Sequence, residues 1–312
     1  MQPDFAGLVL DGKYRLVAPL GTGGMGHVWR AEHVSLGRSF AVKLLRPELV
    51  SDPAALARFQ QEAQAAARIG SRHIVEVFDV GRTPGGAPYL VMEFLRGRPL
   101  SAELAARGPL PIPRALDVVD QILDGLTAAH AAGIVHRDLK PDNVFLLEGP
   151  GGRDWVKIVD FGIAKAKDDP KAQHLTRTGM LLGTPRYMSP EQVLGRRDVD
   201  RRADLWAAGV ILYECLTGRV PFEAADLAST LTAILQQAPV SPAALRPEVG
   251  TRLAEVVLRA LAKDPASRFG DAAGFRAALA GAAPAAAAGG WSGPGVMASG
   301  DAAASVLSSV DA

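Results

Sequence analysis

His136-Arg137-Asp138-Leu139-Lys140-Pro141-Asp142-Asn143 sets a carboxylate, an ammonium and a carboxamide within six residues. Pro141 disfavours the α conformation at Lys140 and has no backbone N–H of its own, so the stretch reads as a loop. It lies between the apolar runs Gly133-Ile134-Val135 and Val144-Phe145-Leu146-Leu147. A carboxylate accepts a proton from an attacking hydroxyl, a lysine neutralises phosphate, and an amide oxygen binds a hard cation. Those are the parts a phosphoryl-transfer site needs.

Downstream, the strand-like Val156-Lys157-Ile158-Val159 leads into Asp160-Phe161-Gly162, 17 residues beyond Asn143. A carboxylate at a strand end beside a glycine is a common metal-binding or turn arrangement. Upstream, Gly21-Thr22-Gly23-Gly24-Met25-Gly26-His27-Val28 is a turn in which backbone amides can approach phosphate closely. The dinucleotide-binding fingerprint has the same glycine spacing but must open a helix. Here Val28-Trp29-Arg30 continues as a β-branched, aromatic strand, and a plain hairpin turn stays open as the alternative. Lys43, in Ser39-Phe40-Ala41-Val42-Lys43-Leu44-Leu45, reads by itself as a solvated strand lysine. Glu62 reads by itself as an exposed carboxylate, on a helix that Asp52-Pro53 starts and Gly70 ends.

In this order and spacing, the segments resemble the eukaryotic-like (Hanks-type) serine/threonine protein kinases of bacteria, from about Tyr14 to about Leu279. His136–Asn143 fits H-R-D-L-x-x-x-N at every specified position, Gly21–Val28 fits G-x-G-x-x-G-x-V, and Phe40–Lys43 is similar to V-A-I-K. The resemblance implies an α+β, bilobal protein-kinase fold: a small β-rich lobe with one main helix over residues 1–95, and a larger helical lobe over 96–281. It implies ATP as phosphoryl donor and Mg²⁺, with Mn²⁺ as the other suitable ion, held by Asn143 and Asp160. Asp138 becomes the catalytic base, Lys140 the cation on the transferring phosphate, and Thr184 the bridge between them. A lysine at that place typifies serine/threonine specificity in the family. Lys43 pairs the nucleotide phosphates and is held by Glu62, while Phe161 packs against the helix that carries Glu62. Leu20, Gly21, Thr22, Gly23, Gly24, Met25, Gly26 and His27 cover the nucleotide; Val28, Ala41 and Phe145 sandwich adenine; Met92 gates its pocket; backbone groups of Glu93 and Leu95 bind it.

Gly183-Thr184-Pro185-Arg186-Tyr187-Met188-Ser189-Pro190-Glu191 resembles the end of a kinase activation segment, with Ser189 in place of the usual alanine of A-P-E. Thr176 and Thr178 resemble the paired threonines on which bacterial relatives phosphorylate themselves. A phosphate there brings about −1.5 to −2 charges, and Arg137, beside the base, is the expected cationic receiver. The resemblance also implies that Glu191 pairs with Arg268, that Asp204 anchors the loop backbone, and that His136 supports the loop. Two other readings stay on the table: a pseudokinase acting as an ATP-binding scaffold, and a kinase-like small-molecule phosphotransferase. Relatives of the second kind generally lack a long activation segment ending in P-E.

Composition narrows the rest. The 312 residues carry a formal net charge of +1, so no overall field favours nucleic acid or an anionic membrane. Cys215 is the single cysteine, which excludes an intrachain disulfide and suits a reducing compartment. It sits in the apolar run Leu205–Leu216 and reads as structural. No run reaches the roughly 20 apolar residues of a membrane helix, and no secretory signal opens the chain, so a cytoplasmic enzyme with protein substrates is expected. Relatives dimerise through the small lobe, which leaves a homodimer open. Helical periodicity covers 114–132, 203–216, 226–237, 252–261 and 272–279. The 31 residues from Ala282 are Ala/Gly/Ser/Pro-rich without Lys or Arg, and read as a disordered tail.

Overall fold

A computed structural model describes residues 5–23, 26–161 and 185–283, without the side chains of Arg58, Glu62, Ala65 and Pro150. Six antiparallel strands form the first sheet: β1 Val9–Leu10, β2 Tyr14–Thr22, β3 Gly26–His33, β4 Ser39–Leu45, β5 Val77–Arg82 and β6 Pro88–Glu93. Their order is β1-β2-β3-β4-β6-β5. Trp29, Phe40, Val42, Leu44, Tyr89 and Val91 form its main apolar layer. The turn from β2 to β3 is a hairpin, as the β-branched flank predicts, and Gly23 N–H closes it on Gly26 C=O at 2.8 Å.

Helix α1 (Pro53–Arg68) begins where Asp52-Pro53 predicts, with the Asp52 carboxylate accepting the Ala54 N–H at 2.9 Å. Ala55, Phe59, Ala63 and Ala66 recur at helical spacing and are buried. Phe59 and Ala63 pack on Leu45 and Leu90, which fastens α1 to β4 and β6. The expected strand Ile74–Phe78 is shorter than read: β5 starts at Val77. Ile74 is drawn off into an isolated parallel bridge with Ile158, where Val75 N–H meets Ile158 C=O at 2.9 Å. Backbone bonded in that direction cannot also serve the outer edge of β6.

A second sheet of β7 (Gly97–Pro99), β8 (Val144–Glu148) and β9 (Asp154–Ile158) lies between the six-stranded sheet and the helices. The helical part comprises α2 (Leu100–Arg107), α3 (Ile112–Ala131), α4 (Arg202–Thr217), α5 (Leu227–Gln236), α6 (Gly250–Ala260) and α7 (Ala272–Ala282), with shorter turns between them. α4 is apolar nearly all round and buried nearly all round, the expected correspondence. Gly209 in its middle faces Ala260 so closely that a Cβ would stand 2.8 Å from that alanine's Cβ. Cys215 is fully buried on α4, and burial pushes its thiol far up. Ala282, the first residue of the expected tail, is still helical and buried. Among the described residues no helix is long and apolar enough to cross a membrane.

Candidate active site

The decisive loop runs from His136 to the short 3₁₀ turn Pro141–Asn143, where Pro141 stands at the first position as its fixed φ allows. Asp204 of α4 holds it from below. This fully buried carboxylate accepts the backbone N–H groups of His136 and Arg137, each at 2.8 Å, and His130 Nε2, also at 2.8 Å. Arg137 is thereby kept at φ 62° and Asp160 stands at φ 53°, left-handed conformations that cost a non-glycine residue energy and cluster at functional sites.

His136 is wholly buried beneath the loop. Its Nε2–H donates to Val159 C=O at 3.1 Å, so Nδ1 is the acceptor for the Asp138 N–H at 3.3 Å, and its ring lies 4.7 Å from that of Phe161. Burial pushes its pKa down in spite of Asp204, Asp138 and Asp160 nearby. A neutral imidazole with both nitrogens engaged supports the loop and leaves no nitrogen to carry a proton for a substrate.

Above it the polar groups converge. Lys140 Nζ donates to Asp138 Oδ2 at 3.1 Å. Asn143 Nδ2 donates to Asp138 C=O at 2.9 Å, and Asn143 C=O accepts the Val159 N–H at 2.9 Å, which ties the loop to the segment leading to Asp160. Lys43, nearly buried on β4, donates to Asp160 Oδ1 at 2.8 Å from the opposite sheet. Five predicted residues, Lys43, Asp138, Lys140, Asn143 and Asp160, are thus joined through short links. Glu62 lies on α1, but its side chain is outside the described residues, as are Thr184, Gly24, Met25, Thr176 and Thr178.

The predicted nucleotide contacts fall on the strands β2, β3, β4, β6 and β8 and the connector after β6. Leu20, Gly21 and Thr22 end β2; Gly26, His27 and Val28 begin β3, with Gly23 in the turn. Thr22 Oγ1 and His27 Nδ1 are 3.2 Å apart. A Cβ on Gly21 would stand in open space, as in a cradle for a ligand, whereas one on Gly26 would collide with Leu44 C=O of the neighbouring strand. Gly26 is therefore needed by the sheet as well as by any phosphate. Ala41, Met92 and Val75 form a small buried cluster with Val28 and Val159 against it, and Phe145 of β8 is half-buried. Glu93 ends β6 and spends its N–H on Glu76 C=O at 3.0 Å, so only its carbonyl can serve a ligand; Leu95 follows in the irregular connector.

The donor set fits a hard divalent cation. With Asn143 Nδ2 committed to the loop, Oδ1 is the atom of that residue that could ligate a cation, and with the Asp160 carboxylate it would make an all-oxygen set. Among the described residues there is no cluster of His, Cys, Asp and Glu that would make a different metal site.

Sequence reasoning did not find Arg46, whose Nη2 donates to Gly23 C=O at 2.8 Å and pins the glycine turn, nor His130 on Asp204. Neither carries a local signal, because each partner is remote in sequence. Glu191 and Arg268 do meet as expected, in a buried two-bonded pair at 2.8 Å for each bond. Tyr187 O–H donates to Glu214 at 2.7 Å and anchors the segment before them to α4. Burial pushes the Glu214 carboxyl up. A cavity of about 20 Å³ remains between Arg137–Lys140 and Tyr187–Gln192.

The pattern described as the protein kinase domain matches residues 14–279. The chain belongs to the protein kinase family. It is 50% identical over 268 residues to the serine/threonine-protein kinase Pkn1 of Myxococcus xanthus, covering 86% of this chain and 38% of that protein. It is 41% identical over 278 residues to PknA of Mycobacterium tuberculosis, covering 88% of this chain and 62% of that one. Among solved structures it is similar to the Mycobacterium tuberculosis PknI kinase domain, with 31% identity, a TM-score of 0.68, and coverage of 89% of this chain and 99% of that one. This kinase chain thus spans less than two thirds of the length of these curated relatives. The match to bacterial serine/threonine kinases and the α+β bilobal fold agree with the resemblance read from the motifs.

Proposed function

We propose that this kinase transfers the γ-phosphoryl group of ATP to serine and threonine hydroxyls of proteins, and to its own Thr176 and Thr178, in the cytoplasm. Its relatives are named serine/threonine-protein kinases, and the observation that chiefly supports the reading is the convergence of Lys43, Asp138, Lys140, Asn143 and Asp160.

In this reading the Asp138 carboxylate aligns the substrate hydroxyl and takes its proton as the oxygen attacks the γ-phosphorus. The bond from phosphorus to the β–γ bridging oxygen breaks, and that oxygen departs with ADP. Lys140 neutralises charge on the moving phosphoryl group from the same side as the base. Lys43 does so on the α- and β-phosphates, exchanging its bond to Asp160 for bonds to phosphate oxygens. Asn143 and Asp160 would hold Mg²⁺, which would supply neutralisation of the phosphate charge. Val28 and Ala41, with Phe145 from β8, form the apolar slot for adenine, and Met92 gates it. Most of the acceleration comes from positioning and charge rather than from a strongly basic carboxylate. Phosphate on Thr176 and Thr178 is received by Arg137 and orders the activation segment.

The test compares wild type with Asp138→Asn after incubation with labelled ATP and Mg²⁺, followed by phosphosite mapping. Wild type carries phosphate on Thr176 and Thr178, and the variant incorporates it about 10²–10⁴ times more slowly. Equal rates would remove Asp138 from the role of base. No incorporation by wild type would favour the scaffold reading.

A further inference from the structure

Gln192 stands in the single-turn helix Pro190–Val193, just after the P-E pair, and has no part in the chemistry above. Its carboxamide is held at both ends. Oε1 accepts the Ser189 N–H at 3.0 Å and the Ser189 hydroxyl at 3.2 Å. Two donors on one oxygen leave the amide a single orientation. Nε2 then points the other way and donates to Arg137 C=O at 2.8 Å.

That carbonyl belongs to the peptide between Arg137 and Asp138. Arg137 sits at φ 62° with its own N–H on Asp204 Oδ1 at 2.8 Å, so Asp204 fixes the peptide before it and Gln192 fixes the peptide after it. On the same peptide the Asp138 N–H donates to His136 Nδ1 at a longer 3.3 Å. A non-glycine residue persists in the left-handed region only where its surroundings over-determine it. Rotation of this peptide would swing the Cα–Cβ bond of Asp138, and the carboxylate with it.

Ser189 gains a meaning here. It is fully buried and replaces the alanine of the usual motif. An alanine would keep the N–H donor and lose the hydroxyl donor to Oε1. S-x-x-Q is also the sequence pattern of a capping box, so the link has a legible trace.

We propose that Gln192 is a positioning residue, which ties the end of the activation segment to the catalytic base by fixing the Arg137–Asp138 peptide, with Ser189 as its orienting partner. This rests on the reading of Asp138 as the base. It gives the activation segment a route to the base through the main chain, independent of any phosphate on the Arg137 guanidinium.

The test uses the full chain carrying Gln192→Met, which removes both bonds, and Gln192→Glu, which keeps the acceptor and sets an oxygen against the Arg137 carbonyl. Each should lower kcat for phosphoryl transfer about tenfold or more, with the KM for ATP unchanged within about twofold. Ser189→Ala should lower kcat about twofold in the wild-type background and not at all on Gln192→Met, since the two act as one unit. Amide hydrogen exchange at Arg137 and Asp138 should quicken about tenfold in Gln192→Glu. A kcat within about twofold of wild type for both Gln192 variants would overturn the proposal. If wild type transfers no phosphate, the reading of Asp138 fails separately. Exchange then decides the link: unchanged protection of the two amides in Gln192→Glu overturns it.

Discussion

Asp204 accepts three donors with two oxygens while almost wholly out of water: the His136 and Arg137 amides and His130 Nε2. The expected partners were the loop's amides, because the resemblance places a buried aspartate under that backbone; His130 has no counterpart in any local pattern. Asp204→Ala would strand two buried N–H groups, each costing about 1–3 kcal/mol, and would release Arg137 from its left-handed conformation. Unfolding free energy should fall by about 3 kcal/mol or more in urea titration, with phosphate incorporation falling further than the loss of folded protein accounts for. A loss below about 1 kcal/mol would mean that water replaces the carboxylate and that the loop holds itself. Lys43 shows the other limit of legibility. Its strand follows from the sequence, but a lone strand lysine reads as solvated, and neither its burial nor its bond to Asp160, which joins residues 117 apart, has a local signal.

Elements whose reasons are local were readable, as α1 shows with its Asp52 cap, Pro53 start and apolar spacing at 55, 59, 63 and 66. β5 was misjudged at its first residues because Val75 and Ile158 bond across the sheets, and apolar runs do not announce their partners. The turn Pro190–Val193 is held by an ion pair that the motif did announce. Arg268 spends its guanidinium on both Glu191 oxygens and on the carbonyls of Ala262, Arg202 and Lys263, over the face of Trp206. Such a pair is costly to break and cheap to replace. Glu191→Ala leaves a buried guanidinium without its counter-charge and should cost about 3–5 kcal/mol. Glu191→Leu with Arg268→Met should recover at least half of that loss in thermal or urea unfolding, while the activation segment loses its tether and kcat stays low. If the double variant were no more stable than the single one, the carbonyl contacts of Arg268, rather than the ion pair, would be what holds the element.

At the scale of the whole molecule, two buried histidines stand where the sheets meet the helices. His73 Nδ1–H donates to Val156 C=O, 2.9 Å away, and the His73 C=O accepts the Ile158 N–H; His136 bonds Val159 on the same run. Burial lowers the pKa of both, outweighing Asp124 beside His73, where Arg72 and Lys157 also act against protonation, and outweighing Asp204, Asp138 and Asp160 around His136. The unfolded chain binds a proton at each near pH 6.5 while the folded chain does not, so in this window the unfolded state holds more protons and stability rises with pH. The contribution is complete above about pH 6.5 and is lost as pH falls below it, at up to about 1.4 kcal/mol per pH unit for each histidine. Between pH 7 and pH 5.5 the pair should therefore lower the unfolding free energy, by at most about 2–3 kcal/mol. Glu214 opposes this: its raised pKa makes the folded state the better proton binder as pH descends toward it, so stability is gained there. Urea titrations at pH 7 and 5.5 should show the fall in wild type and a steeper one in Glu214→Gln. The junction is also where Lys43 meets Asp160 and Lys157 meets Glu93 at 2.5 Å, so acid should open the sheets from the helices before it unfolds α4 or α6. Hydrogen exchange at pH 5.5 should then quicken first at Val75 and Ile158; uniform quickening across α4 would show that acid acts on the molecule as one unit.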